Sequence, residues 1–190
     1  MNEKQKSYIS DLATQVDSFS EKYQVIHAAF AIEQILRDKK QEQHDQEIAD
    51  LVREITLTTD RDKSEELIEQ VKEKKKENNP NCRIIISYVT YLAPGCARTH
   101  RTANDTFFIG LPKSMECIRK PDNTIDFERL NSLRKLMAHE LGHIILHSGI
   151  LIRDVVALTE EEKEIEATYF AECLIKLRHM YNNELKCESV

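Results

Sequence analysis

The residues best suited to chemistry lie in one pentapeptide, His139-Glu140-Leu141-Gly142-His143. On a helix, His139 and His143 lie about 40° apart around the axis and roughly 6 Å apart along it, so both imidazoles can bind one metal ion. Glu140 lies about 100° around from His139 and can reach a water molecule on that ion without binding the metal. The spacing therefore predicts a catalytic zinc site, with His139 and His143 as ligands and Glu140 as the base.

A catalytic zinc ion usually has three protein ligands and one open position, so a third ligand is required. His147 is close in sequence, but on a continuous helix it lies about 12 Å beyond His139, too far for all three rings to meet one ion. We therefore expect His147 to form hydrogen bonds behind the ligands or to line the cleft. The longer motif with Gly at position 146 and His at position 149 is excluded, because Leu146 and Gly149 stand there.

The segment after Leu158 supplies the other candidate carboxylates, which are Glu160, Glu161, Glu162, Glu164 and Glu166. Thr159 and Glu162 form a predicted capping box, while Glu160 and Glu161 suit the positive end of the helix dipole.

The helical phase of this segment separates Glu164 from Glu166. Glu166 shares the apolar face with Phe170, Cys173 and Leu177, whereas Glu164 lies about 160° away, on the solvated side. A buried carboxylate requires a cation, so Glu166 is the predicted third ligand and Glu162, one turn earlier on the same face, is the alternative.

These residues resemble the ImmA/IrrE-type zinc metallopeptidases, which pair an H-E-L-G-H helix, often continued to a further His, with a later E-A-x-x-F-A helix. This chain has His139 to His143 followed by His147, and then Glu166-Ala167-Thr168-Tyr169-Phe170-Ala171. The resemblance covers about Cys82 to Arg178. It implies that His139, His143 and Glu166 bind zinc and that Glu140 is the catalytic base. It also implies regulatory proteolysis, since relatives often cleave a helix-turn-helix repressor.

Two sets of elements must position these side chains. Residues 132–148 lack proline and have apolar residues around much of the helical circumference, which predicts a buried active-site helix. Gly142 is a poor helix former, so it indicates close packing of another helix beside the metal face.

Residues 1–79 are predicted to be a helical N-terminal region, which either packs on the core or binds a partner and includes a helix over 63–76.

Residues 80–190 form the predicted catalytic domain. Arg83 to Leu92 and Thr106 to Leu111 are rich in β-branched and aromatic residues and are predicted strands, joined by a polar connector from Cys96 to Asp105. We therefore expect an α+β, zincin-like core with a small antiparallel or mixed sheet. The last strand is expected to present its edge above the metal, where an extended peptide could pair with it.

Composition sets further bounds on the function. The 190 residues carry a net charge of -6, which argues against nucleic acid as the main ligand. The five cysteines include no C-x-x-C pair, which favours reduced thiols over a zinc ribbon. The polar Met1-Asn2-Glu3-Lys4 start and the absence of a long apolar run predict a cytoplasmic protein without a membrane partner.

The function predicted from the sequence is site-specific zinc-dependent cleavage of a protein or peptide. The alternatives are a catalytically inactive sensor or binding module stabilised by its metal, and a non-peptide metallohydrolase. Oxyanion stabilisation needs a further donor. The sequence leaves this role open among Tyr88, Tyr91, His100, Arg101, His147 and Tyr169.

Overall fold

The computed structural model describes residues 1–19, 25–77, 80–102, 105–151 and 158–187. Part of the predicted connector, 103–104, and the end of the predicted catalytic domain, 188–190, lie outside the described residues. The elements, in chain order, are α1 (Glu3–Phe19), α2 (Val25–Leu57), α3 (Arg61–Glu77), β1 (Arg83–Val89), β2 (Arg98–Arg101), β3 (Thr106–Pro112), a 3-10 turn (Lys113–Met115), α4 (Phe127–His147) and α5 (Glu160–Cys187).

The three strands form one mixed sheet in the order β1-β3-β2. β3 lies in the centre, parallel to β1 and antiparallel to β2. Its alternate side chains Phe107, Ile109 and Leu111 are buried and belong to the same apolar cluster as the buried residues of α4. The predicted α+β fold with a small mixed sheet is confirmed.

β2 corrects two of the expectations for the sheet. The predicted polar connector contains this strand, and β2, rather than the last strand β3, forms the edge beside α4. Arg98-Thr99-His100-Arg101 has no apolar alternation because most of the strand is exposed. Backbone pairing with β3, in which Thr99 faces Ile109, holds the strand instead.

α4 begins at a side-chain cap and ends at a glycine. The Asp126 carboxylate accepts a hydrogen bond from the Arg129 backbone N–H at 3.1 Å, and Gly149 follows the helix with φ +75°, which a residue with a Cβ adopts only at a cost. Between these ends, the buried residues of α4 pack against the sheet, α2 and α5. The predicted active-site helix is thus present and longer at its start than 132–148.

Gly142 lets α4 and α5 approach closely. A Cβ placed on Gly142 would stand 3.0 Å from both Cα and O of Ala167, and 3.2 Å from Cδ1 of Phe170. Because the nearest atoms are backbone, no larger residue fits without moving α5. The close packing predicted from this glycine is confirmed.

α5 starts with the predicted capping box. The Glu162 N–H donates to Thr159 Oγ1 at 3.2 Å, and the Thr159 N–H donates to Glu162 Oε2 at 2.8 Å. The buried face of the helix comprises Glu166, Ala167, Phe170, Ala171 and Leu174. Glu162 is therefore occupied at the cap and exposed.

The N-terminal helices pack on these elements. Ile9 and Val16 of α1, together with Ile32 and Leu36 of α2, belong to the same apolar cluster as Phe170 of α5. α1 packs against α5, and α2 packs against α4 and β1. The N-terminal region is helical as predicted, but a domain boundary at residue 79 stays a prediction. Among the described helices, none combines the length and apolarity needed to cross a bilayer.

Candidate metal centre

α4 brings His139 and His143 together as the sequence predicted. Their side chains lie one turn apart on the same face, and their Nε2 atoms are 3.1 Å from each other. Burial, and then the charge of His139, lower the pKa of His143. A neutral imidazole keeps its lone pair free for a metal, so this environment favours the ligand form.

Glu164 of α5 completes a group of three possible ligands. Its Oε2 lies 3.1 Å from His139 Nε2, and its Oε1 lies 3.3 Å from His143 Nε2. Tetrahedral zinc with bonds of about 2.0 to 2.1 Å separates its ligand atoms by about 3.3 Å. The two imidazoles and the carboxylate therefore have both the chemistry and the spacing of a zinc site.

The structure does not bring the predicted ligand Glu166 into this group. Among the described residues, the cluster able to hold one ion contains His139, His143 and Glu164. The Glu166 side chain is 2 % exposed, and its Oε2 lies 3.1 Å from His147 Nε2. Glu166 as a ligand therefore stays a prediction, and the geometry offers Glu164 in its place.

The phase argument missed Glu164 because it equated solvent exposure with lack of a role. Glu164 is indeed exposed, with 61 % of its side chain accessible. A ligand at the mouth of an open groove can be exposed, however, because the metal itself is reached from solvent. The signal available in the sequence was the four-residue spacing of Glu164 and Thr168, which places both on the side of α5 that meets His139. Thr168 Oγ1 lies 3.3 Å from His139 Nδ1.

His147 lies behind the two histidines, as its distance along the helix predicted. Its Nδ1 is 3.3 Å from His143 Nδ1, on the side of the His143 ring away from the metal group. Its own Nε2 faces Glu166. His147 thus forms hydrogen bonds next to His143 and also lines the groove, while a role behind metal ligands stays a prediction.

Glu140 is buried beside the group and is held by a strand that the sequence did not reveal. It is 6 % exposed, and the Thr99 hydroxyl donates a 2.6 Å hydrogen bond to its Oε2. Thr99 belongs to β2, so the edge strand contacts the predicted base directly. No motif marks this threonine, and only the packing of β2 against α4 identifies it.

A groove of about 690 Å³ joins these residues. One wall is α4 with the start of α5, including His139, Glu140, His143 and Glu164, and the other is the segment from Gly95 to Arg101. Within the described parts of the chain, β2 pairs with β3 alone, which leaves its other edge along this groove.

A chain of polar contacts fixes the β2 wall. Arg101 donates to the Ser148 carbonyl at 2.6 Å and pairs with Asp105, which also accepts from Lys40 of α2 at 2.6 Å. Burial alone would raise the pKa of Asp105, but the hydrogen bonds from Lys40 and Arg101 outweigh it and lower that pKa. Asp105 is thus held as a carboxylate between two cations.

The groove narrows the choice of oxyanion donor. Three of the six candidates line the groove, namely His100, Arg101 and His147. The lining does not include the other three, which are Tyr88, Tyr91 and Tyr169. Arg101 is engaged with Ser148 and Asp105, and His147 is engaged with Glu166. His100, stacked on Phe108 with ring centroids 5.2 Å apart, is left as the strongest candidate.

A family match covers the part of the chain that contains this site. The model of the IrrE N-terminal-like domain, Peptidase_M78, matches residues 128–183, which is under a third of the chain but includes every candidate ligand and Glu140. Comparisons with curated proteins and with solved structures gave no significant match. Residues 128–183 therefore match the IrrE N-terminal-like domain, which confirms over this segment the resemblance to the ImmA/IrrE-type metallopeptidases.

Proposed function

We propose that the protein is a zinc-dependent peptidase that cleaves a regulatory protein at a specific site. The main support is the meeting of three metal-binding atoms with a buried glutamate in one groove. The family match supports a peptidase, and the metal group supports its dependence on a metal. A helix-turn-helix repressor is the substrate that the family resemblance favours.

His139, His143 and a glutamate of α5 would hold the zinc. Glu164 is the preferred glutamate because its oxygens lie 3.1 and 3.3 Å from the two Nε2 atoms, and Glu166 is the alternative. When bound, zinc would polarise the scissile carbonyl and lower the pKa of a water molecule to about 7.

Glu140 would take the proton of the attacking water and deliver it to the leaving amine. The Thr99 hydroxyl binds Oε2, so Oε1 is the oxygen left for proton transfer. The same hydrogen bond restricts rotation of the carboxylate, which is the role we propose for Thr99 in catalysis.

The edge of β2 that borders the groove would bind the substrate. An extended peptide that adds to this edge gains main-chain hydrogen bonds and passes along α4, where the metal group lies. His100, on the same strand, would donate to the oxyanion. Binding through the backbone accepts many sequences, so specificity would depend on the side chains that line the groove.

A proteolysis assay with the zinc-loaded protein tests this function. Unfolded casein and candidate repressor proteins serve as substrates, and Glu140→Gln is the matched variant because it keeps the shape of the side chain. We expect cleavage that a chelator abolishes and zinc restores, with Glu140→Gln retaining its zinc but losing about 10²- to 10⁴-fold in rate. Undiminished cleavage by Glu140→Gln would rule out the proposed base.

A further inference from the structure

Two ionisable residues with little solvent exposure, His147 and Glu166, lie outside the metal group but in line with it. Their side chains are 9 % and 2 % exposed. From the metal side, the line runs from His143 Nδ1 to His147 Nδ1 at 3.3 Å, and from His147 Nε2 to Glu166 Oε2 at 3.1 Å. We propose that Glu166 acts on the metal through His147, by fixing the orientation of the His143 ring. This inference rests on the proposed function, because it requires that His143 binds the ion through Nε2.

The protons of this line can be assigned from its contacts. A neutral imidazole carries one N–H, and His143 Nε2 must be free of it to bind a metal, so the proton lies on Nδ1. His143 Nδ1 then donates to His147 Nδ1, which must accept. The His147 proton therefore lies on Nε2 and donates to the Glu166 carboxylate. Each of these contacts then has one donor and one acceptor, and the line ends on a carboxylate, which can only accept.

Such a line has two physical effects on the metal site. The hydrogen bond from Nδ1 holds the His143 ring at one angle, and the carboxylate at the far end makes that ring a stronger ligand. The contact also gives a buried carboxylate a hydrogen-bond donor, which it needs in an apolar helix face. His139 differs, because its Nδ1 lies 3.3 Å from the neutral Thr168 hydroxyl. We therefore expect the support of His143 to matter more for zinc affinity than that of His139.

The competing account is the one from helical phase, in which Glu166 binds zinc directly. The two accounts differ in what His147 does. If Glu166 acts through His147, its substitution should not change zinc affinity once His147 has been removed. If Glu166 binds zinc directly, its substitution should lower zinc affinity whether or not His147 is present.

Zinc affinity, measured by competition with a chromophoric chelator, separates these accounts. The full-length variants are Glu166→Gln, His147→Ala and their combination, with Thr168→Val for the other histidine and exposed Glu161→Gln as the control on α5. We expect Glu166→Gln and His147→Ala each to lower zinc affinity about 10- to 100-fold. The combination should lower it no further than the larger single effect, Thr168→Val should lower it less, and Glu161→Gln should leave it unchanged.

Cobalt substitution reports the identity of the metal ligands separately from the metal affinity. The visible absorption of bound Co²⁺ reports its ligand atoms, so Glu166→Gln should keep the wild-type spectrum once the site is saturated. A changed spectrum, or a further loss of affinity when Glu166→Gln is added to His147→Ala, would make Glu166 a ligand and overturn the proposal. Unchanged affinity in Glu166→Gln would overturn it as well. If His147→Ala does not fold, His147→Gln replaces it in the same cycle. Failure of the wild-type protein to bind zinc at all would instead refute the proposed function.

Discussion

The hydroxyl of Thr99 donates a 2.6 Å hydrogen bond to Glu140, although the two residues are 41 positions apart in the chain. It joins the strand that borders the groove to the glutamate beside the metal group. We expect Thr99→Val, which keeps the side-chain shape, to lower kcat about 10-fold or more, since a hydrogen bond to a charged group contributes about 1.5 to 3 kcal/mol. Zinc content should not change.

Thr99→Ser is the control, because it retains the hydroxyl and should keep most of the activity. Steady-state kinetics on one peptide substrate measure both variants. Equal rates for Thr99→Val and the wild-type protein would show that Glu140 needs no partner from β2.

Substitution of Glu164 and substitution of Glu166 should lower the zinc content of the protein to different extents. Removal of a ligand opens the site, so Glu164→Ala should purify with little zinc, whereas Glu166→Ala should retain a weakened site. Metal analysis after dialysis against a fixed chelator concentration measures both. If Glu166→Ala loses all zinc and Glu164→Ala keeps it, the ligand predicted from the sequence is right and the geometric one is wrong.

Gly142→Ala should destabilise the protein although alanine is the better helix former. The new methyl would stand 3.0 Å from the Ala167 backbone, which cannot move without shifting α5. We expect a net loss of about 1 to 3 kcal/mol in the free energy of unfolding, because overpacking outweighs a propensity gain of about 1 kcal/mol. Urea denaturation measures it. Exposed Asn131→Ala on the same helix should change stability by less than about 0.5 kcal/mol.

Cys82 predicts a loss of stability at alkaline pH. Burial, and then the charges of Glu33 and Asp105, raise the pKa of its thiol from 9.0 to about 11. The folded state therefore holds the proton that the unfolded chain releases, so this contribution is fully present below pH 9.0 and is lost as the pH rises to about 11.

Denaturation curves between pH 8 and 11 test whether the contribution of Cys82 to stability falls as the pH rises. The difference in unfolding free energy between the wild-type protein and Cys82→Ala should shrink as the pH rises across that range. A constant difference would mean that the thiol titrates alike in both states.

Sequence reasoning succeeded where one element contains the whole signal. The spacing of His139 and His143, the capping box of Thr159 and Glu162, and the packing role of Gly142 each depend on a single helix, and each was predicted. The β-branched run of β1 was likewise sufficient to predict that strand.

The parts that were missed depend on contacts between elements. β2 lacks an apolar pattern because its pairing with β3, not burial, forms it. Thr99 reaches Glu140 only because that strand lies beside α4, and Glu164 reaches the histidines only because α5 crosses α4 closely at Gly142. Helical phase gives the direction of a side chain relative to its own axis but not the position of the neighbouring helix.

The contacts from Lys40 to Asp105 and from Arg101 to Ser148 have an evolutionary consequence. Lys40, Arg101 and Asp105 precede the family-matched segment, whereas Ser148, Glu140 and the candidate metal ligands lie within it. Under the proposed function, substitutions in the part of the β2 wall of the groove that contacts neither Glu140 nor Ser148 would alter which proteins are cut while the candidate metal ligands stay the same. A lineage could acquire new targets by changing the residues from Gly95 to Arg98, which line the groove ahead of Thr99, His100 and Arg101.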